Sequence, residues 1–240
     1  MNNEGKQRRA GAFFGRRKAK ALKHSQIVLF ESLLPRLRLD LSEPAPENLD
    51  QLFEIDVEKI ILEIGFGGGE HLVQRCVEQS DSGFIGCEPF INGMGMALTE
   101  IDSRNISNIR LFDEDATRLL DWLPSNSIDI IYLLYPDPWP KKRHWKRRFV
   151  NSDNLLRFAR ILKSGGEFRF ASDIAHYVDW TVDLVDRNLD FHRSAEKISD
   201  CIEPWQGWKS TRYEKKAIRE GRSSTYLTFR KSETVGSSSS

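Results

Sequence analysis

The sequence predicts a doubly wound α/β domain, a mostly parallel sheet with helices on both faces, and three observations carry that expectation. From Lys59 onward, short β-rich apolar runs alternate with segments of helical spacing, the order that builds right-handed βαβ units. The first run ends in Gly65-Phe66-Gly67-Gly68-Gly69, which reads as a tight turn between a strand and a helix. The run from Ile128 to Tyr135 is almost uninterrupted in apolar character, as a strand buried on both faces reads.

Taken in order, residues 1–24 read as a mobile basic arm, carrying Lys6, Arg8, Arg9, Arg16, Arg17, Lys18, Lys20 and Lys23. Residues 25–34 read as a short amphipathic helix with Ser25 as candidate N-cap and Pro35 as its stop. Residues 40–56, with Pro44 and Pro46, read as a connection. The alternation then gives a strand at 59–65, a helix at 70–79, a strand at 83–88, a helix at 91–104, a strand at 109–112 and a helix at 117–123. The apolar strand at 128–135 follows, then a helix at 150–162, a turn at Lys163-Ser164-Gly165-Gly166, a strand at 167–172 and a helix at 174–188. Segments 191–198 and 225–231 are expected to close a seven-stranded sheet, with 199–224 between them as a long loop. Residues 25–231 thus form one domain, and 232–240 a flexible serine-rich tail.

The 240 residues suit one domain with extensions, and the formal net charge of +1 excludes nothing by itself. Its distribution says more. A second basic cluster spans 141–148, so two separate basic patches lie on a near-neutral chain, the footprint of a polyanion partner. The three cysteines have no metal-ligand spacing and imply neither a metal nor a disulfide framework. With no run long enough to span a bilayer, the expected setting is cytoplasmic, without membrane contact.

The chemistry is expected at the strand ends. The glycine turn lacks the third glycine of the dinucleotide fingerprint, because Glu70 stands there, and no Gly-Lys-Ser/Thr follows. An acid beside the turn disfavours a pyrophosphate and suits an ammonium or sulfonium ligand, which points to S-adenosylmethionine. Glu88, ending the second strand, can accept from ribose hydroxyls. Asp115, after the third, can accept from an adenine amino group while Ala116 offers its N–H. At the end of the fourth strand lies Tyr135-Pro136-Asp137-Pro138-Trp139-Pro140. There Asp137 can hold the N1–H and N2–H edge of a guanine, Trp139 can stack, and the basic run 141–148, Arg148 included, can meet phosphates. Asp173, after the fifth strand, is either a site residue or the N-cap of the next helix. Trp205 and Trp208 either anchor the late loop or, the favoured reading, are core aromatics; His144 and His176 could contact RNA, a lone histidine being more often structural or solvated, and neither has metal-ligand company.

The segments Glu-Ile-Gly-Phe-Gly-Gly-Gly (63–69), Gly-Cys-Glu-Pro-Phe (86–90), Tyr-Pro-Asp-Pro-Trp-Pro-Lys-Lys-Arg-His (135–144) and Thr-Arg-Tyr-Glu (211–214) together resemble the bacterial tRNA (guanine-N7-)-methyltransferase family, over about residues 25–231. The resemblance implies a Rossmann-like class I methyltransferase that uses S-adenosylmethionine to methylate guanine 46 in the variable loop of tRNA. It implies cofactor contacts at Glu63, Glu88, Asp115 and Asp137, with the glycines Gly65 and Gly67 and the neighbour Ala116 around them. Asp137 is the implied catalytic residue, and Lys141, Asp173, Thr211, Arg212, Tyr213 and Glu214 the implied tRNA contacts. Pro140 departs from the histidine that many members carry after Pro-Asp-Pro-Trp. Three other readings stand beside this one: a methyltransferase of another substrate class, a silent RNA-binding module, and a nicotinamide dehydrogenase. Monomer and homodimer are both left open.

Overall fold

The computed structural model describes residues 19–233. Helices α1 (His24–Ser32) and α2 (Leu34–Leu37) lead into β1 (Lys59–Ile64), α3 (Glu70–Glu78), β2 (Ser82–Cys87), α4 (Ile91–Ser103), β3 (Ile109–Phe112) and α5 (Ala116–Trp122). Then follow β4 (Ile128–Leu134), α6 (Ser152–Ile161), β5 (Leu162–Ser172), α7 (Ala175–Asp186), β6 (Phe191–Arg193), α8 (Arg212–Arg219) and β7 (Thr225–Lys231). The strands form one seven-stranded sheet in the order β3-β2-β1-β4-β5-β7-β6. The first five pair in parallel, and β7 runs antiparallel between β5 and β6.

Side chains of successive strand residues point to opposite faces, and the sheet uses this to build two cores. On β1, Ile60, Leu62 and Ile64 enter the core shared with α5, α6 and α7, whereas Ile61 enters the core shared with α3 and α4. Ile60, Ile61 and Leu62 are at most 2% exposed, so neither face of β1 meets water. The strand order reverses between β1 and β4, and ligands in open α/β sheets bind outside the carboxyl ends at that switch. Those ends carry the glycine turn after Ile64 and the Pro-Asp-Pro-Trp exit after Leu134.

Several expectations are corrected. Helix α1 starts at His24, capped at Lys23, because Gln26 Oε1 accepts from the Lys23 N–H at 3.1 Å; Ser25 lies inside the helix. Pro35 does not stop α1; it sits in the first turn of α2, where its missing N–H costs nothing. Residues 40–56 contain a 3-10 turn at Leu49–Leu52. The expected turn at 163–166 is a bulge inside β5: pairing with β4 jumps from Ile128↔Leu162 to Ile130↔Glu167. Gly165 takes φ +71° there, and a Cβ on Gly166 would lie 2.9 Å from the Lys163 carbonyl oxygen. Of the segment 191–198, only Phe191–Arg193 pairs as a strand, against β7. The segment 199–224 is no open loop, for it holds a 3-10 turn at Ile198–Asp200 and the whole of α8.

Of the expected N-terminal arm, residues 1–18 lie outside the described residues. The next stretch touches α4, where Ala19 N–H donates to Asn92 Oδ1 at 2.8 Å and Asn92 Nδ2 donates to the Lys20 carbonyl at 2.9 Å. Of the expected tail, 234–240 lies outside the described residues.

Candidate active site

A cleft of about 510 Å³ opens at the β1/β4 switch, within the usual range for a small-molecule site. Gly65, Glu88, Asp115, Ala116, Asp137 and Tyr213 line it together with Trp139 and Arg147. The glycine turn forms its edge. Gly65 and Gly67 hold φ of +71° and +61°, and no atom lies within 4 Å of a Cβ built on Gly65, so a ligand can approach the backbone there.

Glu88 sits between this turn and the start of α4. Its Oε2 accepts from the Gly67 N–H at 2.7 Å and its Oε1 from the Phe90 N–H at 2.8 Å. A carboxylate has roughly four acceptor positions, so both oxygens can still take a hydroxyl from a ligand. Burial pushes its pKa up to about 7, against the pull of those two backbone donors. Asp115 caps α5, accepting from Thr117 N–H and Thr117 Oγ1, each at 2.9 Å. Both bonds fall on Oδ1, so Oδ2 is the oxygen left for a ligand. The first residue of α5, Ala116, has an N–H with no partner inside the helix, the ordinary state of a first turn.

Asp137 faces the cleft between two residues in the left-handed region, Tyr135 at φ +50° and Trp139 at φ +44°. For aromatic side chains this conformation costs roughly 1–3 kcal/mol each and persists only where the surroundings hold it. The Tyr135 hydroxyl is bound to Ser224 Oγ at 2.9 Å, and the backbone beyond Asp137 is held from below by Arg148. Desolvation by the cleft wall raises the Asp137 pKa above the ordinary carboxylate value.

Beyond Trp139 the basic run folds as a 3-10 turn, Lys142–Arg147. Lys141, Lys142, Arg143 and Lys146 are exposed. The Arg147 guanidinium lies 4.9 Å from the Trp139 ring centroid, and His144 meets the same ring edge-on at 5.9 Å. Partial desolvation and then the neighbouring cations hold His144 below its usual pKa. Arg148 differs from its neighbours. It is 1% exposed, so the expectation that it meets phosphates is overturned by its burial.

Helix α8 folds back over the glycine turn. Tyr213 packs on Gly67, and a Cβ on Gly68 would lie 2.2 Å from Arg212 Nη2. Arg212 Nε lies 3.2 Å from Glu70 Oε1, so the acid expected to await a cationic ligand is ion-paired. Thr211 caps α8, its Oγ1 accepting from the Glu214 N–H at 3.2 Å. Glu214 is buried and accepts from Trp208 Nε1 at 2.9 Å and from the Tyr226 hydroxyl. Trp205 and Trp208 pack with Tyr132, Tyr226 and His71, as core aromatics do.

The structure thus brings Gly65, Glu88, Asp115, Ala116, Asp137 and Tyr213 to one cleft and Lys141 to the basic segment beside it. Others lie elsewhere. Glu63 points to the α3 face of β1, 3% exposed, with its Oε2 at 2.7 Å from His71 Nδ1. Gly67 reaches the site through its bond to Glu88. Asp173 does not cap α7, where Ile174 is the N-cap; it takes Arg222 Nε at 2.6 Å. Thr211 and Glu214 are turned into the fold. Sequence reasoning missed Asn154 and Arg157, which border the cleft from α6. They reach it only through packing of α6, and no local pattern marks them. The helix at 212–219 had a signal, Thr-x-x-Glu at 211–214, which is an N-cap signature. Among the described residues no cluster of potential metal ligands forms, and no helix is long and apolar enough to cross a membrane.

A sheet with this strand order, an acid at the end of β2 and a cleft at the switch point define a class I methyltransferase fold. Two solved structures share it: an aminoglycoside resistance methyltransferase, NpmB1 (TM-score 0.51, 15% identity, 79% of this chain and 95% of that one), and TrmN from Thermus thermophilus (TM-score 0.52, 14% identity, 76% and 46%). At that identity they speak to the fold alone. Residues 57–227 match the family described as "Putative methyltransferase". The tRNA (guanine-N(7)-)-methyltransferase of Rhizobium meliloti (strain 1021) is 59% identical over 220 residues, covering 92% of this chain and 95% of the relative. That of Agrobacterium fabrum is 56% identical over 229 residues, covering 95% and 99%. The chain belongs to the tRNA (guanine-N(7)-)-methyltransferase family.

Proposed function

We propose that the protein transfers a methyl group from S-adenosylmethionine to guanine N7 in tRNA, at position 46 of the variable loop. The observation that carries this reading is the single cleft in which Glu88 and Asp115 face Asp137 and Trp139, with an exposed basic segment beside it. Its acids suit the cofactor's donors: Glu88 the ribose hydroxyls, and Asp115 Oδ2 with the Ala116 N–H the adenine edge. When bound, S-adenosylmethionine supplies an electrophilic methyl on a cationic sulfur.

The protein's part is mainly placement. Guanine N7 presents a lone pair in the ring plane with no proton to remove, so no general base is required at that atom. Asp137 accepts from guanine N1–H and N2–H, and its negative charge offsets the cation that methylation leaves on the base. Trp139 supports the base by stacking, worth roughly 1–3 kcal/mol in comparable contacts. Lys141 and its exposed neighbours take backbone phosphates, while Arg212, Tyr213 and Asp173 flank the RNA side. Thr211 and Glu214 contribute by fixing α8. The one domain takes in α1 with its cap and runs to residue 231, and the basic residues of 1–18 serve as an arm for RNA.

Incubation of the protein with labelled S-adenosylmethionine and unmodified tRNA, followed by nucleoside analysis, tests the reading. Label in 7-methylguanosine at position 46 is expected. Label in another nucleoside, or transfer only to protein or small molecules, refutes it.

A further inference from the structure

Arg148 ends a run of basic residues yet behaves unlike any of them. It is 1% exposed, and it is the bulkiest side chain in the fully buried set. Its guanidinium carbon lies 4.5 Å from the Trp145 ring centroid, 4.8 Å from Tyr177 and 5.1 Å from Trp180. Its Nη2 lies 2.6 Å from His176 Nδ1, and its Nη1 donates to the His176 carbonyl at 3.4 Å. An arginine carries no acceptor, so in this contact the guanidinium donates and Nδ1 accepts.

The remaining donor decides the role. Nε of Arg148 donates to the Pro138 carbonyl at 3.0 Å. That carbonyl belongs to the peptide plane joining Asp137-Pro138 to Trp139, the residue held at φ +44°. Clamping its oxygen fixes the Pro138–Trp139 peptide plane, from which Trp139 projects and to which Asp137 is joined through the single rigid ring of Pro138. The clamp itself is tied down: Trp145 Nε1 donates to the Pro140 carbonyl at 3.4 Å, and Trp180 Nε1 to the Val150 carbonyl at 2.8 Å. A planar guanidinium can stack among rings while donating in its plane; an ammonium cannot do both.

We infer that Arg148, caged by Trp145, Tyr177 and Trp180, is a positioning residue that holds the Asp137–Trp139 backbone in its reactive geometry through the Pro138 carbonyl, and is not a phosphate contact. This inference rests on the proposed guanine methylation. It separates residue 148 from the exposed residues 141–143 and 146, which act on RNA affinity.

The test uses the full-length protein, with Arg148→Lys and Arg148→Gln compared with Arg143→Gln. Cofactor binding by calorimetry, tRNA affinity over a salt series, and kcat at saturating substrates are measured for each. Both Arg148 variants are expected to bind cofactor and tRNA within twofold of the unaltered protein, with unchanged salt slope, while kcat falls roughly 10- to 100-fold, as for slight misplacement of a reacting group. Arg143→Gln is expected to weaken tRNA binding and flatten the salt slope by about one contact. A flattened slope with unchanged kcat in Arg148→Gln makes Arg148 a phosphate ligand and overturns the inference. So does kcat within twofold of normal in Arg148→Lys, or loss of cofactor binding in both variants, which marks a folding role only. Failure of the unaltered protein to methylate tRNA is seen before any variant is compared and refutes the functional proposal instead.

Discussion

At the scale of single residues, two carboxylates facing one cleft do different work because their surroundings differ. Glu88 is enclosed, and its pKa of about 7 lies above the ordinary 4.5. The folded protein therefore binds more protons than the unfolded chain between those values. The stability Glu88 contributes is fully present below pH 4.5 and is lost as pH rises through 7, on the order of 3 kcal/mol in the unliganded state. A ligand whose hydroxyls donate to the carboxylate reverses the preference. Cofactor affinity is thus expected to fall up to about tenfold per pH unit below 7, and Glu88→Gln to bind weakly but without that dependence; calorimetry at pH 6, 7 and 8 checks both. Asp137 touches the base in the proposed reaction. Asp137→Ala is expected to lower kcat/KM roughly 100-fold or more with an unchanged unfolding midpoint, and near-normal turnover removes its role. Asp137→Asn separates charge from geometry, since it keeps an acceptor and loses the negative charge.

At the scale of elements, α8 is the part whose role the structure redefines. Its cap residue Thr211 and its buried Glu214 fasten the helix so that Arg212 and Tyr213 lie over the glycine turn. Thr211→Ala is expected to cost about 1 kcal/mol of stability by urea unfolding, and Thr211→Ser to restore it. If the threonine acted only by touching RNA, stability would not move while activity fell. The helix was obscured in the sequence by its charge, since five of its eight residues, Arg212, Glu214, Lys215, Lys216 and Arg219, are ionisable polar groups of the kind loops also carry. Its Thr-x-x-Glu start was nevertheless readable. In the same way the Gly165-Gly166 pair announced a break in the chain, and only pairing with β4 showed that the break lies inside β5 as a bulge.

At the scale of the whole molecule, charge is arranged by the fold, because net charge alone is nearly zero. The exposed residues Lys141, Lys142, Arg143 and Lys146 lie just beyond the cleft wall that carries Asp137 and Trp139. The sequence adds Lys6, Arg8, Arg9, Arg16, Arg17 and Lys18 ahead of the described residues. Deleting residues 1–18 is expected to weaken tRNA binding and reduce its dependence on salt, with cofactor affinity unchanged. An unaltered salt slope in a filter-binding or anisotropy series shows that these charges take no part.

The alternation of strands and helices, the glycine turn and the acids at successive strand ends were legible in the chain because they follow from local periodicity and from turn chemistry. So was the placement of Asp137, since a proline-flanked acid after a wholly apolar strand has few places to go but the carboxyl edge of a sheet. The divergent fates of neighbouring residues were not legible. Glu63 and Ile64 are adjacent, yet strand pleating sends one to His71 on the α3 face and the other into the opposite core, at the floor of the cleft. Arg147 and Arg148 are adjacent, yet one lies over Trp139 and the other packs its guanidinium among three rings at the cleft wall, because α7 supplies Tyr177 and Trp180 from a distant part of the sequence. Which side of an element meets solvent, ligand or core is set by what packs against it, and that is information only the tertiary structure holds.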